Sequence, residues 1–512
     1  MSSAEMVSDP RAVIGRMCDE GYGVACGSGV QDALIAYISG STPPVELRVD
    51  RPGWHGSAFV LPDEVIQPPT VGGVTLARER VHLASTSGAE AAYNVAGSLD
   101  DWKRDIGAYC VGNSRLVLAV CAGFAGPLLR PTGNETGGIH LCGASSVGKS
   151  SALSVAGSVC GGGDGGYVRQ WRATTNGLEG IAHSHNDGLL ALDELSQMAG
   201  KEVSAAAYMI GNQAGKARAR KDGSAAPTRN WVTMVLSSGE MSLSAHSIES
   251  GQKVKAGAEV RLLTVPADAK QGMGLFENIH SFDSPGDFSN HLKARSKATY
   301  GAPLRAFLRW LVANRESALK RVGELQELFG DAYVPKGASG EITRAAARFS
   351  LLAAAGELAT QGGVTDWPAG EATKAAGACF SDWLEERGSV AGGDVEGGVR
   401  QALAFIEQNG SRFQTPHQSF VPRDRAGFTV TEGGFVRYYI LRGVFEDLVC
   451  KGHNFRSVRE ELIRRGYMIP GEPKRPGQQK VVLPGLGRPR VYVMEIAEDT
   501  FVEAEPQIGV AA

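Results

Sequence analysis

The residues best suited to chemistry stand together in the run G-I-H-L-C-G-A-S-S-V-G-K-S-S, residues 138–151. Its second half has the spacing G-x-x-x-x-G-K-S, with Gly143, Gly148, Lys149 and Ser150 at the fixed places. A glycine-rich turn between a strand and a helix points successive backbone N–H groups inward, with the positive end of the helix behind them. That is a nest for phosphate oxygens. Lys149 then reaches the β- and γ-phosphates of a nucleoside triphosphate, ATP in the simplest case, and the Ser150 hydroxyl is offered to Mg²⁺. The spacing assigns the whole turn to nucleotide binding: Gly143, Ala144, Ser145, Ser146, Val147, Gly148, Lys149, Ser150 and Ser151. A chain with 67 glycines can form such a string by accident. Against accident stand the apolar Ile139, Leu141 and Cys142 before it and an Ala/Ser/Val helix after it.

A second acidic element follows 44 residues beyond Lys149, in G-L-L-A-L-D-E-L. Four apolar residues, Leu189 to Leu192, read as a central strand, with Asp193 and Glu194 at its carboxyl end, where open α/β sheets bind ligands. Asp193 is suited to hold Mg²⁺, and Glu194 to polarise the water that attacks the γ-phosphate. The alternative is an N-cap pair for the next helix. A third strand, Trp231–Glu240, ends in polar groups, so Ser237 or Ser238 is placed to sense the γ-phosphate or the lytic water. Arg261, in A-E-V-R-L-L-T-V-P, opens a further strand. It is either an arginine that crosses a subunit boundary to neutralise transition-state charge or a surface arginine of an edge strand. Between the acidic and serine strands, residues 213–229 carry Lys216, Arg218, Arg220, Lys221 and Arg229 against Asp222, a local +4 in a chain of net charge −3. The K-A-R-A-R alternation suggests a hairpin with its basic residues on one side. It either holds a nucleic-acid backbone through phosphate contacts or is a solvated charge run.

The elements that position these residues follow from the rest of the chain. At 512 residues, 43% apolar and 21% charged, the composition is that of a globular protein of about three domains. No apolar run is long enough for a membrane span, and the N-terminus lacks a secretory pattern, so a cytoplasmic location is expected. The eight cysteines form no C-x-x-C pair, which argues against a zinc site or a disulfide framework. Residues 138–265 alternate strand and helix, as a parallel sheet with crossover helices does. Helical spacing of Trp102, Ile106, Tyr109 and Cys110, and the buried run Leu116–Ala125, predict helices ahead of the phosphate loop. Residues 300–360 are helical. Arg344 and Arg348, four apart, serve either a local salt bridge or the nucleotide. Glycine-rich Ala391–Gly398 reads as a linker. Beyond it, strands at Gly427–Val436 and Val481–Val493 bracket helices at Tyr438–Cys450 and Phe455–Arg465, a winged-helix-like order. Residues 456–490 hold nine Lys/Arg against three Glu, suited to a duplex, to a protein partner or only to solubility.

The motifs G-W-H-x-x-x-F-V-L-P-D, G-S-L-x-x-W, N-S-R-L, G-A-S-S-V-G-K-S-S, L-A-L-D-E-L, L-S-S-G-E and R-F-S-L-L-A-A-A-G-E-L-A, in that order, resemble domain-of-unknown-function family 927 over roughly residues 25 to 500. The resemblance implies a helicase-like ATPase of phages, plasmids and integrated elements, related to superfamily 3 helicases and AAA+ ATPases. It further implies a ring, with a hexamer expected, nucleotide at subunit boundaries and basic hairpins in the pore. The family's nucleotide residues correspond to Gly143, Gly148, Lys149, Ser150, Asp193 and Glu194, and less securely to Ser238 and Arg261. No primase motif precedes residue 25, so the chain is expected to be a stand-alone motor or a piece of a longer one, with a separate primase as partner.

The resulting expectation is an α/β P-loop NTPase of AAA+/superfamily 3 type that uses ATP and Mg²⁺ to move on single-stranded or forked DNA. Its parts are an N-terminal α+β region (1–98), a core (99–290), a helical lid (291–390) and a winged-helix-like C-terminal domain (399–512). The catalytic set is Glu194, Lys149, Arg261 and Ser238, with Ser150 and Asp193 on the metal and Lys216, Arg218, Arg220 and Lys221 on DNA. The competing expectation is a nucleotide-gated DNA-binding switch or remodelling ATPase, of initiator or defence type, that never unwinds. A degenerate ATPase acting as a DNA-binding scaffold is a third.

Overall fold

A computed structural model of the chain describes residues 9–19, 21–23, 27–40, 46–69, 80–83, 93–163, 166–218, 228–249, 261–387, 393–416, 421–472 and 475–497. The chain divides into two compact units, residues 1–50 with 69–85, and residues 51–68 with 86–512. In the smaller unit, helices Pro10–Asp19 and Ser28–Gly40 accompany a parallel pair of strands, Glu46–Val49 and Arg80–Leu83. None of the candidate chemical residues lies there.

The larger unit is built around helix α1 (Ser114–Leu129), whose sixteen residues are all buried. The helical segment 99–110 packs beside it, with Trp102, Ile106 and Cys110 fully buried, in accord with their helical spacing. Trp102 Nε1 donates to Ser158 Oγ at 2.9 Å. The strands 53–66 are tied to the same core through Asp187, which is fully buried. Its carboxylate accepts from Trp54 N (3.0 Å) and pairs with Arg130 (2.9 Å), so a buried charge is satisfied on both sides.

Next come β1 (Gly137–Cys142), α2 (Lys149–Cys160), β2 (Arg169–Gln170), α3 (Thr175–Ser184), β3 (Leu189–Asp193), α4 (Gly200–Gly211), β4 (Met234–Gly239) and β5 (Leu262–Pro266). The five strands form one parallel sheet in the order β5-β1-β4-β3-β2. Helices cover both faces, which is why β3 reads as an unbroken apolar run: Leu189, Leu190, Ala191 and Leu192 are all fully buried. Each leucine so buried contributes about 1.5–3 kcal/mol. Thr174 caps α3, its hydroxyl accepting from Gly177 N at 3.1 Å. Because β4 is inserted between β1 and β3, the phosphate-loop strand and the acidic strand flank a shared neighbour, and their carboxyl ends open on one side.

Helices α5 (Pro285–Ala298), α6 (Ala302–Ala313), α7 (Arg315–Tyr333), α8 (Gly340–Gln361) and α9 (Glu371–Arg387) follow. The first of them straddles the boundary expected at residue 290. Arg348, on α8, reaches neither the nucleotide loop nor a local partner on its own helix. Its guanidinium lies against Gly137, at the opposite end of β1. Burial holds its pKa down at about 10.

The expected linker 391–398 is corrected from residue 393 onward. Helix α10 (Gly393–Gln408) starts there, and residues 388–392 lie outside the described residues. Its glycines serve packing. A Cβ on Gly398 would stand 2.3 Å from Val458 Cγ2, so glycine lets α10 close on α11 (Phe455–Arg464). The strands β6 (Phe413–Gln414), β7 (Gly427–Glu432), β8 (Phe435–Leu441), β9 (Gln478–Lys480) and β10 (Arg490–Ala497) form a sheet ordered β6-β7-β8-β10-β9. Residues 438–441, expected to be helical, are strand. Tyr438 and Tyr439 pair with Met494 and Val493, and cross-strand packing of β-branched and aromatic side chains overrides the helical spacing. Only residues 442–449 turn helically before α11.

Candidate active site

The phosphate loop has the backbone that its spacing requires. Ser146 (φ 65°) and Gly148 (φ 106°) are left-handed, which turns the intervening amides toward one side before α2 begins at Lys149. The Lys149 ammonium donates to the carbonyls of Gly143 (2.8 Å) and Ala144 (2.6 Å). Ser145 to Ser150 line a cavity of about 690 Å³, within the range of roughly 300–1,000 Å³ usual for ligand pockets. Gly143 and Ala144 thus hold the lysine, while Ser151 faces away. Its side chain is fully buried and hydrogen-bonds Ser289 Oγ at 2.6 Å.

Asp193, Glu194 and Ser238 line the same cavity as Lys149 and Ser150. Ser238 Oγ donates to Asp193 Oδ1, and the Glu194 amide donates to both Asp193 Oδ1 (3.1 Å) and Ser238 Oγ (3.3 Å). Glu194 is exposed at the cavity with a left-handed backbone (φ 56°), and its carboxylate accepts from Gln197 Nε2. A non-glycine residue held at positive φ costs about 1–3 kcal/mol and marks a position fixed by its surroundings. This geometry answers the N-cap alternative: Glu194 makes no side-chain cap bond to the 3₁₀ turn 195–197 that follows.

The two serines divide between the faces of β4, as successive strand residues do. Ser237 is fully buried on the other side. It accepts from Trp171 Nε1 (2.8 Å) and bonds His140 Nδ1 (2.9 Å), while His140 Nε2 donates to Met241 O (3.0 Å). Because Met241 O can only accept, Nε2 carries the proton and Nδ1 takes the Ser237 hydroxyl hydrogen. Burial pushes the His140 pKa down to about 4. Of the pair named from the sequence, Ser238 is the cavity residue.

Arg261 is elsewhere. It precedes β5 at the end of the sheet opposite the phosphate loop, with Gly138 N donating to its carbonyl at 2.8 Å. Its guanidinium stacks on the Tyr208 ring (4.8 Å) and donates to Asn212 Oδ1 (3.1 Å). It does not enter its own chain's cavity. The basic segment is a hairpin at its base: Gly215 N donates to Arg229 O (2.8 Å) and Trp231 N to Gln213 O (3.1 Å). Lys216 is exposed. Arg218 is committed to its own chain, paired at 2.6 Å with Glu179, which is fully buried and also accepts from Lys216 N at 3.0 Å. Arg220 and Lys221 lie outside the described residues.

The far wall of the cavity was not read from the sequence. It consists of Gly272, Met273, Gly274 and Phe276, then Pro285, Gly286, Ser289, Asn290 and Lys293 of α5, while Glu240 adds a third carboxylate beside Asp193 and Glu194. The glycine pair in Q-G-M-G-L-F was the available signal. Gly274 (φ 64°) lies so close that a Cβ would stand 2.7 Å from Val147 O, and Leu275 N donates to the same carbonyl at 2.8 Å. The N-S-R-L motif holds this loop from behind. Asn113 Oδ1 accepts from Glu277 N (2.9 Å) and Asn278 N (3.0 Å), Ser114 Oγ donates to Glu277 (2.6 Å), and Arg115 donates to Pro266 O (3.2 Å) and to Asp382 (2.5 Å).

A phosphate-loop strand, an acidic strand and an intervening strand whose polar residue joins them, all opening on one cavity, define a P-loop NTPase core. Residues 3–230 match the model of a family described as "Domain of unknown function (DUF927)", the family that the ordered motifs resemble. The match ends before L-S-S-G-E, short of the expected reach to about residue 500. No curated protein matches the chain. Five chains of solved structures are similar. One, described as "SCCmec type IV Cch - active helicase", has a TM-score of 0.66 at 16% identity, with 94% of this chain and 86% of that one covered. At that identity the likeness carries the fold.

Proposed function

We propose that the protein is an ATPase that drives movement on DNA, a helicase or translocase for replication of a mobile element. One observation carries the reading: Lys149, Ser150, Asp193, Glu194 and Ser238, from three strand ends, share a single cavity. Lys149 neutralises the β/γ-phosphate charge, exchanging its loop carbonyls for phosphate oxygens. The Ser150 hydroxyl and Asp193 carboxylate are hard oxygen donors suited to Mg²⁺, which neutralises charge on the same phosphates. Glu194 orients the attacking water and accepts its proton, and Ser238 holds Asp193 and the Glu194 backbone in register.

The assembly in this reading is a ring, with a hexamer as the resemblance implies, and a separate primase as partner. Arg261 then acts on a neighbouring subunit's cavity and has to leave Tyr208 and Asn212 to do so. Lys216 and the hairpin beyond it follow the DNA backbone. The name of the structurally similar helicase supports the DNA-motor reading. The second reading is a nucleotide-gated DNA-binding switch or remodelling ATPase that never unwinds; the pairing of Arg218 with Glu179 leaves the hairpin one cation fewer with which to track a DNA backbone. ATP turnover with and without single-stranded and forked DNA separates the two. A motor is stimulated by DNA and loses that stimulation in Lys216→Glu. Turnover indifferent to every nucleic acid would sink the motor reading.

A further inference from the structure

Lys149 is not alone in bringing positive charge to the cavity. Lys293, two turns into α5, lines the far wall, facing a cavity that also holds the carboxylates Asp193, Glu194 and Glu240. Among the described residues no carboxylate lies within ion-pair distance of its ammonium, whereas the buried Arg115 and Arg305 each have one. The position is built. Ser289, one turn earlier on the same face, is bonded to Ser151 at the start of the phosphate-loop helix, and Phe288, fully buried, packs edge-on against Phe276 at 4.8 Å. Helix α5 is therefore fastened to α2 and to the 272–276 loop, and Lys293 is presented from a rigid element.

We propose that Lys293 is a second phosphate-binding residue, an ammonium that contacts the polyphosphate of the bound nucleotide from helix α5. The inference rests on the nucleotide reading of the cavity and adds a ligand-contacting residue to it. A triphosphate brings more negative charge than one lysine balances, and a second cation on a long stem meets it without touching the acidic wall. Lysine suits this task as a point charge with three rotatable donors. Asn290 and Gly286 of the same helix line the cavity beside it.

The test uses the full chain and titration calorimetry with Mg²⁺ present, comparing ATP with adenosine, which lacks phosphates. Lys293→Met keeps the stem and removes the charge. It is expected to weaken ATP about 10–100-fold, the effect of losing a charged hydrogen bond, and to leave adenosine within about twofold. Lys293→Arg should recover most of the ATP affinity. Unchanged ATP affinity in Lys293→Met, or an equal loss for ATP and adenosine with no recovery in Lys293→Arg, overturns the assignment. Lys149→Ala is measured in parallel. If it loses ATP while Lys293→Met does not, only the Lys293 assignment fails. If the wild-type chain binds no ATP, the nucleotide reading fails and takes this assignment with it.

Discussion

The adjacent serines of β4 should respond to the same substitution in opposite ways. Ser238 is 1% exposed and gives its hydroxyl hydrogen to the Asp193 carboxylate while accepting from the Glu194 amide. A hydrogen bond to a charged group contributes about 1.5–3 kcal/mol. Ser238→Ala leaves Asp193 with the Glu194 amide alone, so the carboxylate is held less firmly. The expected result is a drop of roughly 10–100-fold in kcat/KM for ATP and a higher Mg²⁺ concentration for half-maximal rate, with a smaller fall in melting temperature than Ser237→Ala causes. Ser237 is fully buried on the other face and satisfies Trp171 Nε1 and His140 Nδ1. Ser237→Ala leaves two buried groups unpaired, each at about 1–3 kcal/mol, so it lowers stability by several kcal/mol while a still-folded sample keeps its kcat/KM. Initial rates across a Mg²⁺ series, paired with thermal unfolding, read both effects. If Ser238→Ala matches wild type in rate and Mg²⁺ dependence, or if both variants lose only stability, the assignment of faces is wrong.

Further outcomes follow from the same geometry. His140 and His185 are both pushed down to about 4 by burial, from 6.5. The unfolded chain therefore takes up protons that the folded chain refuses. Stability is full above pH 6.5 and is lost as pH falls toward 4, by up to about 3 kcal/mol per histidine. Unfolding midpoints at pH 7.5 and 5 check this, and His140→Gln should flatten the difference. Gly148→Ala places a side chain at φ 106° with its Cβ 3.2 Å from Leu275 Cβ, and should weaken ATP binding in a calorimetric titration while the rest of the fold holds. Arg218→Ala strands the buried Glu179 carboxylate and should lower the melting temperature, whereas Lys216→Glu should leave it unchanged and reduce DNA-stimulated turnover. Arg115→Met breaks the 2.5 Å contact with Asp382 and the hold on the 266–278 loop. It should cost about 3–5 kcal/mol in unfolding and raise the KM for ATP.

The near wall of the cavity was legible because its chemistry is local in sequence. Gly143 to Ser150 sit on one turn, and Asp193–Glu194 end a run of four buried apolar residues whose strand character is unmistakable. Element types in the core, such as the buried α1, were legible for the same reason. The far wall was not. Met273, Phe276 and Lys293 reach the cavity only because Asn113, Ser114 and Arg115, some 160 residues earlier in the chain, pin the intervening loop, and no periodicity encodes such a contact. Glycines misled where they serve close packing: Gly398 read as part of a linker but lets α10 approach α11. Residues 438–441 misled because tertiary pairing with β10 outweighed helical spacing. Arg218 read as one of several available cations, since the buried partner Glu179 lies on α3, 39 residues away.

The most direct test of the convergence of strand ends on one triphosphate is steady-state ATP hydrolysis by the full chain, set against its Glu194→Gln variant. The account predicts Mg²⁺-dependent turnover in the wild type and a loss of at least about 100-fold in the variant, the scale of removing a general base. Equal turnover in the two proteins would contradict it.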